Sequence, residues 1–155
     1  GATANLPAFD AAAAGIGLDL YGTGWEDTAF AAQVVSKKVA NADLGRLYAE
    51  AGVVLNDHWP DMRRLGFLSN RLFDAVACGA RVLSDSIPGA DGLFDGSVRF
   101  CETSAAAEEL LRKPLDEGWA SLDERQMVAE RIRKEHSFDQ RARVLLDHAI
   151  STFGG

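Results

Sequence analysis

The amino-acid sequence predicts an α/β fold, a Rossmann-like parallel sheet of about five strands with helices on both faces. Short apolar runs alternate along the chain with segments in which apolar residues recur every three or four positions. That alternation is typical of β-α units, whose strands lie parallel in one sheet. The chain has 155 residues, a length that suits one domain with a full core. We therefore expect residues 1–155 to form a single domain.

Composition and charge exclude several classes of protein. Hydrophobic residues make up 47% of the chain and charged residues 25%, as in ordinary globular proteins. The net charge of −7 argues against general nucleic-acid binding. No apolar run approaches the roughly 20 residues of a membrane span. Cys78 and Cys101 lack the spacing of metal ligands or of a disulfide framework. A reduced, cytoplasmic protein without metal or cofactor is the expectation.

The first part of the chain predicts two strands and two helices. We expect a weak helix from Asn5 to Ala14 and a strand over Leu18–Tyr21, which ends at a glycine-rich turn. A short strand is predicted from Val34 to Val39. Asn41 is expected to cap the next helix, because apolar residues follow at helical spacing. That apolar stripe consists of Leu44, Leu47, Tyr48 and Ala51.

The middle of the chain predicts strand, loop, helix and strand. Val53–Asn56 is an apolar run that stops at polar residues, as a buried parallel strand does at its carboxyl end. A long loop is expected from Asn56 to Leu65. Ser69 is expected to cap a helix that ends at Gly79 and is followed by a strand over Arg81–Ser84. The apolar face of that helix carries Leu72, Phe73, Val76 and Ala77.

The last part of the chain predicts one more strand and then helices only. Ala90–Phe94 is expected to form a short turn of helix before a strand over Ser97–Cys101. Thr103 or Ser104 is expected to start a helix that stops near Pro114. Ser121 and Glu124 have the spacing of a capping box. The final helix is expected to pack on the sheet through Phe138, Ala142, Leu145, Leu146, Ala149, Ile150 and Phe153.

Ligands of open parallel sheets bind beyond the carboxyl ends of the strands, where three loops of this chain are candidates. In the first, Gly22 and Gly24 would let backbone approach a ligand and Trp25 would wall a pocket. A lone pair of glycines is more often a tight turn with a core tryptophan. The third glycine and the helix of a dinucleotide-binding fingerprint are missing.

The second candidate loop follows the strand that ends at Asn56. Asn56 and Asp57 supply polar groups there, and a long loop after a buried strand is more often functional than accidental. His58 is a candidate acid–base group, although most loop histidines are simply solvated. The sequence assigns no catalytic residue.

The third candidate is the start of the helix after Ser69. Ser69 and Asn70 offer donors beside the positive end of a helix dipole, and Arg71 can bind phosphate oxygens in pairs. Asp74 lies on the same helix face and can accept both hydroxyls of a ribose. The alternative is a capped helix with a surface ion pair between Arg71 and Asp74, worth about 0.3–0.5 kcal/mol. The residues alone leave these two explanations equally open.

The segment Gly66–Leu83, GFLSNRLFDAVACGARVL, resembles the donor-site segment of group 1 glycosyltransferases of the GT-B fold. The usual form of that segment is E-G-F-G-x-x-x-x-E-A-x-A-C-G-x-P-V. The resemblance runs in order from Leu18 to the carboxyl terminus. The stretches YGTGW, LYAEAGVVLND, LSD with IPGADGLF, and RIRKEHSFDQRA resemble the spore-maturation (CgeB-like) branch more closely.

The resemblance implies roles for several positions. Asp74 matches the second acidic residue of the segment, which holds the nucleotide ribose in that family, and Ser69–Arg71 matches the stretch that faces the diphosphate. Lys38, with its neighbour Lys37, falls where the family lines the base pocket. The first acidic position is Gly66 here, so the usual contact with the donor sugar is missing, and the retaining or inverting outcome stays open.

The resemblance further implies that this chain is the carboxyl-terminal, donor-binding half of a hexosyltransferase-type enzyme. Its partners would then be a nucleotide-diphosphate sugar and an amino-terminal acceptor domain of the same protein that lies outside this chain. Alone, the chain is expected to bind nucleotide weakly and to be inactive. The alternative is a non-catalytic binding or assembly module that keeps the fold. A nicotinamide-dependent enzyme is poorly supported, because the glycine fingerprint is absent.

Overall fold

A computed structural model describes residues 16–90 and 92–153. It contains two small parallel sheets. In the first, β1 (Leu20–Tyr21) pairs with β2 (Val34–Ser36). In the second, β4 (Val82–Asp85) lies between β3 (Val54–Asn56) and β5 (Val98–Cys101). The predicted α/β class with parallel strands is confirmed, and its five strands are divided between two sheets.

Seven α-helices and a short 3-10 helix (Ala31–Gln33) accompany these strands in the described ranges. The helix predicted over Asn5–Ala14 lies outside the described residues. The helices are α1 (Asn41–Glu50), α2 (Pro60–Leu65), α3 (Asn70–Ala77), α4 (Ser104–Arg112), α5 (Leu115–Gly118), α6 (Leu122–Glu135) and α7 (Phe138–Phe153). No helix within residues 16–90 and 92–153 has the length and apolar character needed to cross a membrane.

The core lies on both faces of β4, all four residues of which are buried. Neighbouring residues of a strand point to opposite faces, and Val82 and Leu83 accordingly belong to different apolar clusters. Val82 packs with side chains of α3 and α6, which include Leu72 and Ile132. Leu83 packs with the apolar side of α4 and with Trp119, whose Nε1 donates to the Val82 carbonyl at 3.2 Å. The sheet is therefore covered by helices on both faces, as predicted.

A buried arginine fixes the start of α6 against the end of α3. Arg125 Nε donates to the Gly79 carbonyl at 3.0 Å, and its Nη1 donates to the Ala120 carbonyl at 2.6 Å. Burial lowers the pKa of Arg125, and the nearby charge of Arg81 lowers it further. The guanidinium thus satisfies two backbone carbonyls that would otherwise lack donors.

Three of the predicted helix caps are present. The Ser69 hydroxyl accepts from the Arg71 N–H at 3.2 Å, and the Thr103 hydroxyl accepts from the Ala106 N–H at 3.2 Å. Ser121 and Glu124 form the complete capping box. These caps satisfy amide groups that the first helical turn leaves without partners.

Two predicted helix starts and one predicted loop differ from the structure. Asn41 is the first residue of α1 and caps nothing with its side chain, because the extended residue before it is Ala40. The chain near Ala90–Phe94 forms turns in its described residues rather than a helix. The predicted long loop contains α2, which starts at Pro60. Proline suits the first helical position, since its missing N–H would be unpaired there anyway.

The predicted packing of the last helix is wrong. α7 forms where the stripe predicts it, yet none of its residues is buried. Phe138 is 74% exposed and Phe153 is 84% exposed. The faces of the β3–β4–β5 sheet are already covered by α3 and α6 on one side and α4 on the other. The apolar stripe of α7 therefore lies at the surface of the described structure.

Candidate functional site

The carboxyl ends of β3 and β4 bring three buried polar side chains together. Asn56 is paired in register with Ser84, and Asp85 follows in β4. Asn56 Nδ2 donates to Ser84 Oγ at 3.0 Å, and Ser84 Oγ donates to Asp85 Oδ1 at 3.2 Å. Because the single hydroxyl hydrogen goes to the carboxylate, Ser84 must accept from the Asn56 amide. Asn56 Oδ1 is buried and has no partner among the described residues.

His58 joins this network to the start of α3. Its Nδ1 lies 2.6 Å from Asp85 Oδ1, and its Nε2 accepts from the Ser69 N–H at 3.0 Å. An Nε2 that accepts an N–H carries no hydrogen, so Nδ1 is the donor to Asp85. The histidine considered either solvated or catalytic is therefore buried, with both ring nitrogens bonded.

Two arginines bring positive charge to the carboxylates at this end of the sheet. Arg63 Nε lies 3.5 Å from Asp85 Oδ2. Burial raises the pKa of the half-buried Asp57, and the charge of Asp85 raises it further. Arg71 and Arg63 act in the opposite direction and lower the pKa of Asp57. The site thus contains a carboxyl that is costly to ionise, with exposed guanidinium groups beside it.

Most amide groups at the start of α3 are used inside the protein. The Ser69 N–H donates to His58, the Arg71 N–H to Ser69 Oγ, and the Leu72 N–H to the Ser69 carbonyl at 3.1 Å. Within the described ranges, the N–H of Asn70 has no internal acceptor. The sequence predicted a helix start with free N–H groups. In the structure fewer of these N–H groups are free, because Ser69 and His58 accept hydrogen bonds from two of them.

Asp74 lies in a separate groove of about 290 Å³ between α3, the end of α6 and the start of α7. Asn70 lines the same groove, and its Oδ1 accepts from Arg141 Nη1 at 3.3 Å. The guanidinium of Arg141 also lies 4.6 Å from the centre of the Phe73 ring. Arg133 and His136 are among the other residues that line the groove.

Arg71 and Asp74 do not pair with each other. Among the ion pairs of the described side chains none joins these two, although both are exposed on α3. Arg71 acts electrostatically on Asp57, whereas Asp74 lines the groove against α6 and α7. The surface ion pair considered from sequence is thus absent, and both charged groups are available to other partners.

The remaining predicted residues lie at the ends of β1 and β2. The Gly22 N–H donates to the Ser36 carbonyl at 2.9 Å, and the Gly24 N–H donates to Glu26 Oε2 at 2.8 Å. Both glycines have positive φ angles, 122° and 91°, which other residues rarely adopt. These hydrogen bonds fit the tight-turn interpretation of the glycine pair. Trp25 in the same turn is half-buried.

Lys38 follows the end of β2. Its N–H donates to the Ser36 hydroxyl at 3.3 Å, and that hydroxyl donates to the Lys38 carbonyl at 2.8 Å. Such local bonds compete with the sheet, and β2 ends at Ser36 rather than at the predicted Val39. The Lys38 side chain is exposed, while its neighbour Lys37 pairs with Glu26 at 3.0 Å.

The structure therefore distributes the predicted site residues over three places. Asn56, Asp57, Ser69 and Arg71 meet where β3, β4 and α3 converge. Sequence reasoning missed Ser84 and Asp85, which lie beside them. The available signal was the polar pair that ends the buried apolar run of β4, just as Asn56 ends β3.

Neither the two cysteines nor a cluster of metal-ligating side chains indicates a second reactive site in the described part of the chain. Burial raises the pKa of both thiols, whereas a nucleophilic cysteine needs a lowered one. Within residues 16–90 and 92–153 no group of three or more histidine, cysteine or carboxylate side chains has the arrangement of a metal site.

One comparison with known proteins gives a match. Residues 5–147 match the family model described as "Glycosyl transferase-like". That range covers most of the chain and includes every residue of the three places described above. Comparisons with curated proteins and with solved structures returned no match.

Proposed function

Because the chain belongs to the glycosyl transferase-like family, we propose that it is the donor-binding part of a glycosyltransferase. The enzyme transfers a sugar from a nucleotide-diphosphate sugar to an acceptor in the cytoplasm. The chain is the carboxyl-terminal, CgeB-like half of a GT-B fold, and an amino-terminal domain supplies the acceptor side of the cleft.

The observation that carries the proposal is the placement of Arg71. It lies in the first turn of an eight-residue helix, with Arg63 also near the carboxylates at the ends of β3 and β4. A diphosphate carries at least two negative charges, and guanidinium groups bind its oxygens in pairs. Arg71 and Arg63 offset the repulsion that Asp57 and Asp85 would exert on such a ligand.

Asp74 extends the proposed donor site along α3. Asp74 lies three positions after Arg71, a rise of about 4.5 Å along the helix axis. That distance suits a diphosphate at Arg71 followed by its ribose at Asp74. The Asp74 carboxylate is exposed in the groove, where it can accept two hydroxyl hydrogens. The nucleotide base is assigned to Lys38 and to the turn at Gly22, Gly24 and Trp25.

A second function is a binding or assembly module without catalysis. Gly66 favours it, because this position carries a carboxylate in the donor segment of group 1 glycosyltransferases. In this chain Gly66 ends α2 with φ 72° and ψ 25°, and its backbone N–H bonds to the carbonyls of that helix. The contact with the donor sugar is therefore absent, while the groups proposed for the diphosphate and the ribose are retained.

Calorimetric titration with UDP, GDP, TDP and their sugars tests the proposal. We expect saturable binding of one nucleotide and a loss of about tenfold or more in Arg71→Ala and in Asp74→Ala, or ~1.4 kcal/mol for each. Arg64→Ala and Asp61→Ala are matched controls, since these exposed side chains pair with each other on α2. Affinity in the controls should change less than about twofold.

Two outcomes would contradict the donor-site assignment. One is equal affinity in all four variants and the parent chain. The other is absence of binding by the protein that includes its amino-terminal domain, a result that favours the assembly module. Turnover of a bound nucleotide sugar by that two-domain protein would exclude the module.

A further inference from the structure

We propose that His58 is a positioning residue for the proposed donor site. Its imidazole, oriented by Asp85, holds the backbone of Ser69 and so fixes the start of α3 against the ends of β3 and β4. The consequence for ligand binding rests on the proposed function. The hydrogen bonds themselves can be tested without any ligand.

The geometry connects three segments that are distant in sequence. His58 follows β3, Asp85 is the last residue of β4, and Ser69 is the residue before α3. The two hydrogen bonds measure 2.6 Å to Asp85 and 3.0 Å to Ser69. The His58 side chain is 0% exposed, so water does not compete for either ring nitrogen. A buried bridge of this kind restrains all three segments at once.

The carboxylate decides which ring nitrogen carries the hydrogen. Asp85 Oδ1 accepts from His58 Nδ1 and from Ser84 Oγ, while Arg63 faces its second oxygen. With the hydrogen on Nδ1, Nε2 keeps a lone pair directed at the Ser69 N–H. The other tautomer, or the imidazolium, would place a hydrogen against that N–H. Only the neutral ring with its hydrogen on Nδ1 therefore fits between Asp85 and the Ser69 N–H.

The restraint reaches the ligand-binding groups through Ser69. His58 holds the Ser69 N–H, and the Ser69 hydroxyl holds the N–H of Arg71. Two consecutive hydrogen bonds thus separate the imidazole from the backbone of the arginine proposed to bind diphosphate. Loss of the first bond would let the entry to α3 move, and a displacement of about 1 Å is enough to weaken a site of oriented groups.

His58 is poorly placed for direct chemistry. Its side chain is buried and both ring nitrogens have protein partners. A general acid or base must reach the proton it transfers, directly or through one water. The geometry therefore favours positioning over catalysis.

The test combines nuclear magnetic resonance, hydrogen exchange and UDP titration on the parent chain, His58→Ala and His58→Gln. Nitrogen-15 spectra of the imidazole should show the hydrogen of His58 on Nδ1. In His58→Ala the Ser69 amide should exchange at least tenfold faster, and UDP affinity should fall about tenfold. The side-chain oxygen of Gln reaches the place of Nε2, so His58→Gln should restore both values to within about threefold.

Two internal references separate positioning from general loss of stability. The Val82 N–H donates to the Ser97 carbonyl at 2.9 Å in the core, and its exchange should stay unchanged in His58→Ala. His148 is exposed on α7, and His148→Gln should alter neither exchange nor affinity. If His58→Ala does not fold, the tautomer of the parent chain and the behaviour of His58→Gln still decide.

Several results would overturn the inference. These are a hydrogen on Nε2 of His58, unchanged Ser69 exchange in His58→Ala, or unchanged UDP affinity in a variant whose Ser69 amide exchanges faster. If the parent chain binds GDP or TDP rather than UDP, the same comparison is made with that nucleotide. Absence of binding of all three counts against the proposed function instead. In that case the tautomer and the Ser69 exchange still establish or refute the restraint by His58.

Discussion

The side-chain amide of Asn56 donates to the hydroxyl of Ser84 across 3.0 Å, in the interior between the ends of β3 and β4. Ser84 in turn donates to Asp85, the carboxylate that orients His58. The buried Ser84 hydroxyl therefore connects Asn56, at the end of β3, to the Asp85–His58 pair that restrains the start of α3. Its removal would leave the Asn56 amide without this acceptor and would take one of two donors from Asp85 Oδ1.

We expect Ser84→Ala to lower the free energy of unfolding by about 1–3 kcal/mol. The Asn56 amide would lose its acceptor, and Asp85 would lose one donor in a buried place. Urea unfolding followed by tryptophan fluorescence measures the change. Ser86→Ala is the matched control, because Ser86 is exposed and should change stability by less than about 0.5 kcal/mol. Equal changes in the free energy of unfolding for Ser84→Ala and Ser86→Ala would contradict a stabilising role for the hydrogen bonds of Ser84.

Asp57→Asn should change the pH dependence of stability. Burial, and then the charge of Asp85, raises the pKa of Asp57 above its ordinary value of 3.8. Between that value and the raised one, the folded state binds more protons than the unfolded state. Ionisation of Asp57 therefore lowers the free energy of unfolding as the pH rises through this window. The parent chain should lose stability there relative to Asp57→Asn.

Urea unfolding between about pH 3 and pH 8 measures this difference. We expect the free energy of unfolding of Asp57→Asn to increase relative to that of the parent chain as the pH rises above 3.8. The difference should become constant near neutrality. Asp61→Asn is the control for loss of an exposed carboxylate, since the Asp61 side chain is 86% exposed. If the free energy of unfolding of the parent chain instead rises relative to that of Asp57→Asn with increasing pH, the pKa of Asp57 is lowered in the folded state and the prediction is wrong.

Arg125→Met should destabilise the protein although methionine fills much of the same volume. The half-buried Gly79 and Ala120 carbonyls would lose their donors, at about 1.5–3 kcal/mol for each hydrogen bond to the charged guanidinium. Thermal unfolding measures the effect. Arg143→Met is the control, because Arg143 is exposed on α7 and should leave the melting temperature nearly unchanged. A stabilised Arg125→Met would mean that burying the charge costs more than the two hydrogen bonds contribute.

Leu145→Gln and Ile132→Ala should differ widely in their effect. Leu145 is 71% exposed on α7, so its replacement should change the free energy of unfolding by less than about 0.5 kcal/mol. Ile132 is 2% exposed on α6 within the main core, and truncation should cost about 2–5 kcal/mol. Denaturant unfolding compares the two variants. A loss above about 1 kcal/mol in Leu145→Gln would show that α7 packs on the rest of the chain.

Local signals in the sequence were sufficient for the elements whose structure depends on neighbouring residues. The caps at Ser69, Thr103 and Ser121 were predicted because a hydroxyl that accepts an N–H two or three residues later needs no distant partner. The strand that ends at Asn56 was predicted from its apolar run, which is also a local signal. α2 was missed, although Pro60 and Gly66 mark its two ends.

Features that depend on distant packing were not predictable in this way. The stripe of α7 predicts an apolar face, but periodicity does not identify what covers it. Likewise, Asn56 and Ser69 were expected near a ligand, while Ser84 and Asp85 were not. Their position follows from the register of β3 with β4, which pairs residues 28 positions apart. His58 needed the same information, since its two partners come from different elements.

The left-handed backbone of Gly66 limits which residues this position can accept. A side chain there would meet ordinary contacts, with the nearest atom of another residue 3.9 Å from an added Cβ. The backbone angle is the obstacle, because at φ 72° a glutamate is strained by about 1 kcal/mol or more. A glutamate at this position would therefore either carry this backbone strain or require α2 to end differently.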